Sequence, residues 1–342
     1  MARRRLEAAL QVGKDIENKS VDFTSIGVRH EISVSREHKG VYSLQFNYDS
    51  SSLAVGLGSG CIQIYDPKTG RLDKTFKKPL YLSYPVMSLR YNPKRQDLLY
   101  AANAKGVVLS CKPDDESCAE IISEKNNEIN ALDFSADGFS FATAGKDLSI
   151  RIYDTNTNKL HHEYDGYHPV KHSDNTFKGH SQRIFAVRYH PENNYVFLTG
   201  GWDNCVKVWD SRTRDGVERL ITGPHICGDS LDVKGYKMLT GSWTSKNALQ
   251  IWEHTSGSLE RTVPVPCGSG GEFLYCSQFC DNDAVLAGGS GTNSVQAINS
   301  KTGQCLGDVK FSKPVQAMDS TQGGRCFAVG GMDEHLKIGY LQ

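Results

Sequence analysis

The His180 imidazole, the Thr199 hydroxyl and the Asp203 carboxylate fall within one short stretch of this chain. Linked together, such groups are the parts of a nucleophile, its base and the residue that orients the base. Just upstream lie His161, His162, His168 and His172, and imidazoles in number suggest metal ligation. The chain also has 10 cysteines, whose thiols raise metal or redox use. Each reading weakens on its spacing. No cysteine partner accompanies the cluster. The nearest cysteine pair, Cys276 and Cys280, does not have CxxC spacing. No phosphate-cradling GxxxxGK[ST] loop occurs, and no nucleophile stands apart with its own base. The expectation is a chain without catalytic residues, bound metal or cofactor.

The elements that must position these side chains are strands. Gly179 to Asp210 divides into runs of strand alternation beginning at Ile184, at Tyr195 and at Cys205. Pro191 to Asn194 form one turn between them, and Trp202 to Asn204 another. The third of these runs recurs as Cys61–Asp66, Val107–Cys111, Ser149–Asp154, Leu249–Glu253, Val295–Asn299 and Leu336–Tyr340. First runs open near Val41, Val86, Ile129, Ile184, Asp229, Phe273 and Val315, 42 to 45 residues apart except for one spacing of 55. That long interval places an insertion around Tyr164 to Phe177.

A Gly-His opening and a Trp-Asp close, repeated about every 40–45 residues, mark a four-stranded propeller blade. On Gly179-His180, Trp209-Asp210 and the repeats above, the chain resembles the WD-repeat β-propeller family. The resemblance implies an all-β fold: a seven-bladed β-propeller of four-stranded blades over 21–342, with the insertion near 164–177. The seventh unit ends after its third strand, so Val28 to Val34 is expected to supply the missing fourth and close the ring. A short N-terminal helix is expected within 1–20. There Leu6, Ala9, Leu10, Gly13 and Ile16 lie at helical spacing between Arg3 and Lys19.

The resemblance also assigns roles. His180, Thr199, Asp203 and Trp209 are implied to form a buried structural tetrad, with Asp203 accepting from the His180 ring and Thr199 linking that ring to the Trp209 indole. Blades with only part of the set, such as those of Asp147 and Asp333, are expected to be looser. The residue before the turn Asp is implied to rise beside the channel on the ligand-binding face: Trp202 here, with Trp243, Lys146 and Met332 in matching places. Arg183 and Phe185 would rim the same patch. Arg212, in Trp209-Asp210-Ser211-Arg212, resembles the WDxR box by which propeller substrate receptors face a cullin–RING ligase adaptor from the opposite side.

Composition excludes other classes. Lys and Arg total 39 against 39 Asp and Glu, which argues against nonspecific nucleic-acid or anionic-membrane binding. No 18-residue apolar run exists to span a membrane. The expected partners are therefore proteins or peptides, met by a monomeric propeller within a larger complex. The expected location is cytoplasmic, with nuclear or cytoskeletal association open. In that reducing setting the cysteines are expected to stay free thiols.

Overall fold

A computed structural model describes residues 22–76, 83–113, 115, 117–167, 179–213 and 216–342. Seven four-stranded antiparallel sheets follow one another along the chain. Blade four is representative, with strands Ile184–Tyr189, Val196–Gly201, Cys205–Asp210 and Val217–Thr222. Its second and third strands are buried almost throughout, because both faces of a blade pack on neighbours. Continuous apolar runs such as Leu53–Leu57 follow from that double burial. Outer strands such as Leu259–Thr262 are exposed instead.

The first strands touch their neighbours all the way round, blade seven returning to blade one. Seven hydrophobic clusters fill the wedges, one between each adjacent pair of blades. At the seam, a Cβ on Gly330 of blade seven would stand 2.8 Å from the Val41 Cβ of blade one, so only glycine allows that approach.

Closure takes the expected route. Ile26–Ser33 pairs with His335–Leu341, Ile32 opposite Leu336, and so forms the outer strand of blade seven. The Thr24 N–H extends the seam by donating to the Gln342 carbonyl at 2.7 Å. Blades five and six begin their first strands at Leu231 and Leu274, slightly later than the repeat suggests. The expected helix at Arg3–Lys19 and the insertion from 168 lie outside the described residues.

One expectation is corrected. The cysteines are not all free: Cys111 and Cys118 form a disulfide. They stand directly opposite on the third and outer strands of blade two, a register that a sequence separation of 7 does not reveal. Nor is blade three left untied. Glu124, buried before its first strand, accepts from the Thr143 hydroxyl at 2.5 Å and the Tyr153 hydroxyl at 3.0 Å. Arg151 at 3.0 Å and the Asn127 amide at 2.6 Å complete its bonds. A carboxylate thus takes the place of the histidine, and a tyrosine that of the tryptophan. In blade seven Asp333 accepts from the Ser312 N–H and hydroxyl, at 2.6 and 2.8 Å.

Candidate functional site

The tetrad in blade four is a single hydrogen-bonded chain. The Trp209 indole N–H donates to Thr199 Oγ1 at 2.7 Å, and the Thr199 hydroxyl lies 2.7 Å from His180 Nε2. His180 Nδ1 stands 2.8 Å from Asp203 Oδ2, a carboxylate that can only accept, so the ring carries its proton there. Burial pulls the His180 pKa down, against the Asp203 hydrogen bond, and the imidazole stays neutral. Burial would raise Asp203, but the hydrogen bond from His180, with others from Cys205 and the Ser181 N–H, outweighs it and holds the carboxyl below its usual range.

These distances equal those of a catalytic triad. His180 and Thr199 are nevertheless 0 % exposed, so no substrate reaches the hydroxyl. Cys205 approaches the same ring, making His180, Asp203 and Cys205 a compact donor set among the described residues. Both ring nitrogens are already engaged and burial keeps the Cys205 thiol protonated, so the set does not offer metal-ready ligands. Of the other histidines, His161 and His162 lie on the outer strand Leu160–Tyr164. His168 and His172 lie outside the described residues.

Above the tetrad, the turn between second and third strands carries Trp202, which is 38 % exposed, and Trp243 on the next blade is 40 % exposed. Neither ring stands alone. Trp202 lies 5.0 Å from the Phe185 ring, with the Arg183 guanidinium 5.8 Å from its centroid. Its indole N–H points to Cys227 Sγ at 3.1 Å. Trp243 lies 4.9 Å from Phe273 and 6.5 Å from Tyr275. Glu128 bridges Lys146 at 2.6 Å and Arg183 at 2.8 Å, which connects blade three to the same patch. Met332, 37 % exposed, belongs to the corresponding turn of blade seven. Arg212 follows the third strand and so sits on the opposite face. Its guanidinium bonds Asp210 at 2.5 Å and lies 5.0 Å from the Tyr195 ring centroid.

The aromatic patch runs into the central channel, whose wall the sequence reading left unread. Each first strand outside blade five carries a bulge at its second residue, which leaves the ladder there. The released side chains line a cavity of about 200 Å³ at the channel mouth. Tyr42, Phe185 and Tyr275 supply rings, Met87 a thioether, Asn130 and Gln316 amides. In blade five the aligned residue is Asp229.

Three residues deeper, every first strand bears a polar side chain where apolar neighbours prevail: Gln45, Arg90, Asp133, Arg188, Asp232, Gln278 and Asp319. These members stitch adjacent blades. Asp133 accepts the Tyr189 N–H at 2.7 Å, Asp232 the Phe279 N–H at 2.8 Å, and Asp319 the Phe46 N–H at 2.8 Å. The two arginines also reach inward. Arg90 from blade two bonds Asp229 at 2.6 Å and Asp133 at 3.3 Å, and Arg188 meets Asp229 at 3.2 Å. An ion-paired floor thus closes the cavity. Burial would lower the Arg188 pKa, but Asp229 and the neighbouring carboxylates raise it. Burial would raise Asp229, but Arg90 and Arg188 hold it ionised. The signal was present in the sequence as a recurrent polar residue at one fixed position of the apolar first runs.

The comparisons agree with this architecture. The family model described as WD domain, G-beta repeat matches 30–66, 116–154 and 172–210. The first of these matches begins in the strand that completes blade seven and runs on into blade one, so it crosses the closure. Cell division cycle 20.5, cofactor of APC complex, from Arabidopsis thaliana is 22 % identical over 231 residues, 66 % of this chain and 48 % of that protein. Meiotic fizzy-related protein 1 from Schizosaccharomyces pombe is 21 % identical over 257 residues, 72 % of this chain and 54 % of that protein. Target of rapamycin complex subunit wat1, also from Schizosaccharomyces pombe, is 28 % identical over 126 residues, 37 % of this chain and 36 % of that protein. The chain spans about half the length of the cell-division relatives it matches. Three segments of this chain thus match the WD-repeat family model, and its seven four-stranded blades, closed by the first strand, form a seven-bladed β-propeller.

Proposed function

We propose that the chain is a noncatalytic scaffold that binds protein or peptide partners on the Trp202 face and assembles a multiprotein complex. The observation that carries this is the pair of tryptophans at matching turns of adjacent blades, each 38 to 40 % exposed and each backed by a second aromatic ring. Rigid, half-exposed indoles are the usual anchors of protein interfaces. Lys146, Arg183 and Phe185 extend the patch, and Met332 offers a further apolar contact. Two of the relatives, a complex cofactor and a complex subunit by name, support assembly as the mode of action. A cytoplasmic setting belongs to the same proposal and is checked by imaging a tagged chain.

The test is affinity capture with the wild type, Trp202→Ala and Trp243→Ala, each verified by circular dichroism to be folded. Partners that bind this face are lost from the variants; an unchanged partner set refutes the assignment.

A second reading, a substrate receptor of a cullin–RING ligase, uses the opposite face. The exposed Arg212–Tyr195 pair favours it, since a guanidinium held over an aromatic ring by Asp210 presents a fixed cationic surface. Co-purification with a cullin adaptor that Arg212→Ala abolishes supports this role, and a wild type that never captures an adaptor ends it.

A further inference from the structure

We propose that the channel mouth is a pocket for one cationic side chain, a guanidinium or primary ammonium, carried by the partner that docks on the Trp202 face. Three observations converge on it. The first is accessibility of charge. Of the four ionised groups that meet at the floor, Arg90 and Arg188 expose only 6 % and 8 % of their side chains and Asp133 9 %, whereas Asp229 exposes 36 %. Asp229 is deep within the molecule, and its open area is the cavity wall itself. Arg90 also lines the cavity, but a group entering from the face meets far more of the Asp229 carboxylate than of that guanidinium.

The second is the sign of the charge at the mouth. Asp229, Asp133, Asp232 and Asp319 all act on the Arg188 guanidinium. Asp232 and Asp319 each take a backbone N–H of the next blade, which directs them along the wall. Asp229 alone among the ring members of the mouth is charged.

The third is the wall. Tyr42, Phe185 and Tyr275 surround the approach to Asp229. Aromatic faces attract cations, and more strongly where water is thinned. Gly228 keeps this wall tight, since a Cβ there would stand 2.3 Å from the Tyr275 carbonyl. About 200 Å³ suits one side chain and falls short of the usual volume of a cofactor pocket. Phe185 and Tyr275 also touch or approach Trp202 and Trp243, so a residue seated in the mouth would place its flanking backbone on both anchors.

This inference rests on the reading of that face as a partner surface, but its test needs no partner. The probes are Nα-acetyl-arginine methylamide and Nα-acetyl-lysine methylamide, with the uncharged Nα-acetyl-citrulline methylamide as comparator, measured on the full chain by saturation-transfer NMR and calorimetry. One or both cationic probes are expected to bind saturably, about tenfold or more tighter than the citrulline probe. Asp229→Asn is expected to remove that preference. Tyr275→Leu keeps every charge and is expected to weaken the cationic probe by about fivefold, so the proposal stays testable if the Asp229 variant does not fold. Equal binding of the citrulline probe, no binding of either cation, or full affinity in both variants overturns it. Failed probes beside Trp-dependent capture of partners remove the pocket alone. Probe binding beside Trp-independent capture removes the surface reading alone.

Discussion

Replacing Thr199 by valine tests whether the tetrad stabilises blade four through its hydrogen bonds or through its packing. Valine preserves the shape of the side chain and removes only the hydroxyl. Thr199 is 0 % exposed, as is His180, and Trp209 is 1 % exposed. The hydroxyl serves two partners at 2.7 Å each, so its loss strands the His180 Nε2 lone pair and the Trp209 N–H where no water reaches. A buried polar group left without its partner costs about 1–3 kcal/mol, so two together cost about 2–6 kcal/mol. Thr199→Ser supplies the contrast. It keeps both hydrogen bonds and deletes one buried methyl group, worth about 1 kcal/mol. The assay is equilibrium urea unfolding followed in parallel by tryptophan fluorescence and far-ultraviolet circular dichroism. Valine is expected to lower the midpoint clearly more than serine does, although valine is the better space-filler. If valine costs less than serine, the hydroxyl chain contributes nothing net and the argument from satisfied polar groups fails.

Other perturbations follow from the same contacts. Acid should destabilise the fold in two steps: His180, with its folded pKa depressed, favours the unfolded chain as pH falls below about 6.5. Asp203 and Asp333 follow below about 4; burial would raise Asp333, but bonds from Ser312 hold it at about 2. Urea midpoints should therefore decline from pH 7.5 to 5.5, and His180→Gln should flatten that first decline. Glu124→Gln in blade three should cost about 2 kcal/mol, because its amide cannot accept all four donors and leaves Tyr153 short of a charged partner, while Arg151 keeps Asp147 and Glu163; a cost under about 0.5 kcal/mol would mean that blade is held by packing alone. Cys118→Ser should remove about 2 kcal/mol of loop-closure stabilisation, seen as faster hydrogen exchange confined to the third and outer strands of blade two. Exchange unchanged in those strands would show the disulfide to be without effect on them. Truncation before Val34 removes the outer strand of blade seven and should expose the amides of His335–Leu341, while a chain that stays protected there would contradict closure by the first strand.

The amino-acid sequence determined the number of blades and their strands, and the family resemblance carried by its repeats implied the closing strand and the tetrad of blade four. All of these are local or periodic. Strand alternation acts over a few residues, the Trp-Asp signature over a few dozen, and a truncated last repeat demands a partner from the other end. Trp202 and Trp243 were legible for the same reason, since one turn of the repeat fixes where each points. The tertiary structure alone decided what happens between blades and across the ring. Cys111 meets Cys118 only because two strands pair in one register, and Glu124 could be recognised as the histidine's substitute only once it stood among Thr143, Tyr153 and Arg151. Arg90 reaches Asp229 from 139 positions away because closing seven blades brings blades two and five to opposite sides of one narrow channel. Charges so distant along the chain leave no periodic trace of their pairing, and only the closed ring, which puts them within hydrogen-bond distance of each other where water is scarce, makes them a floor.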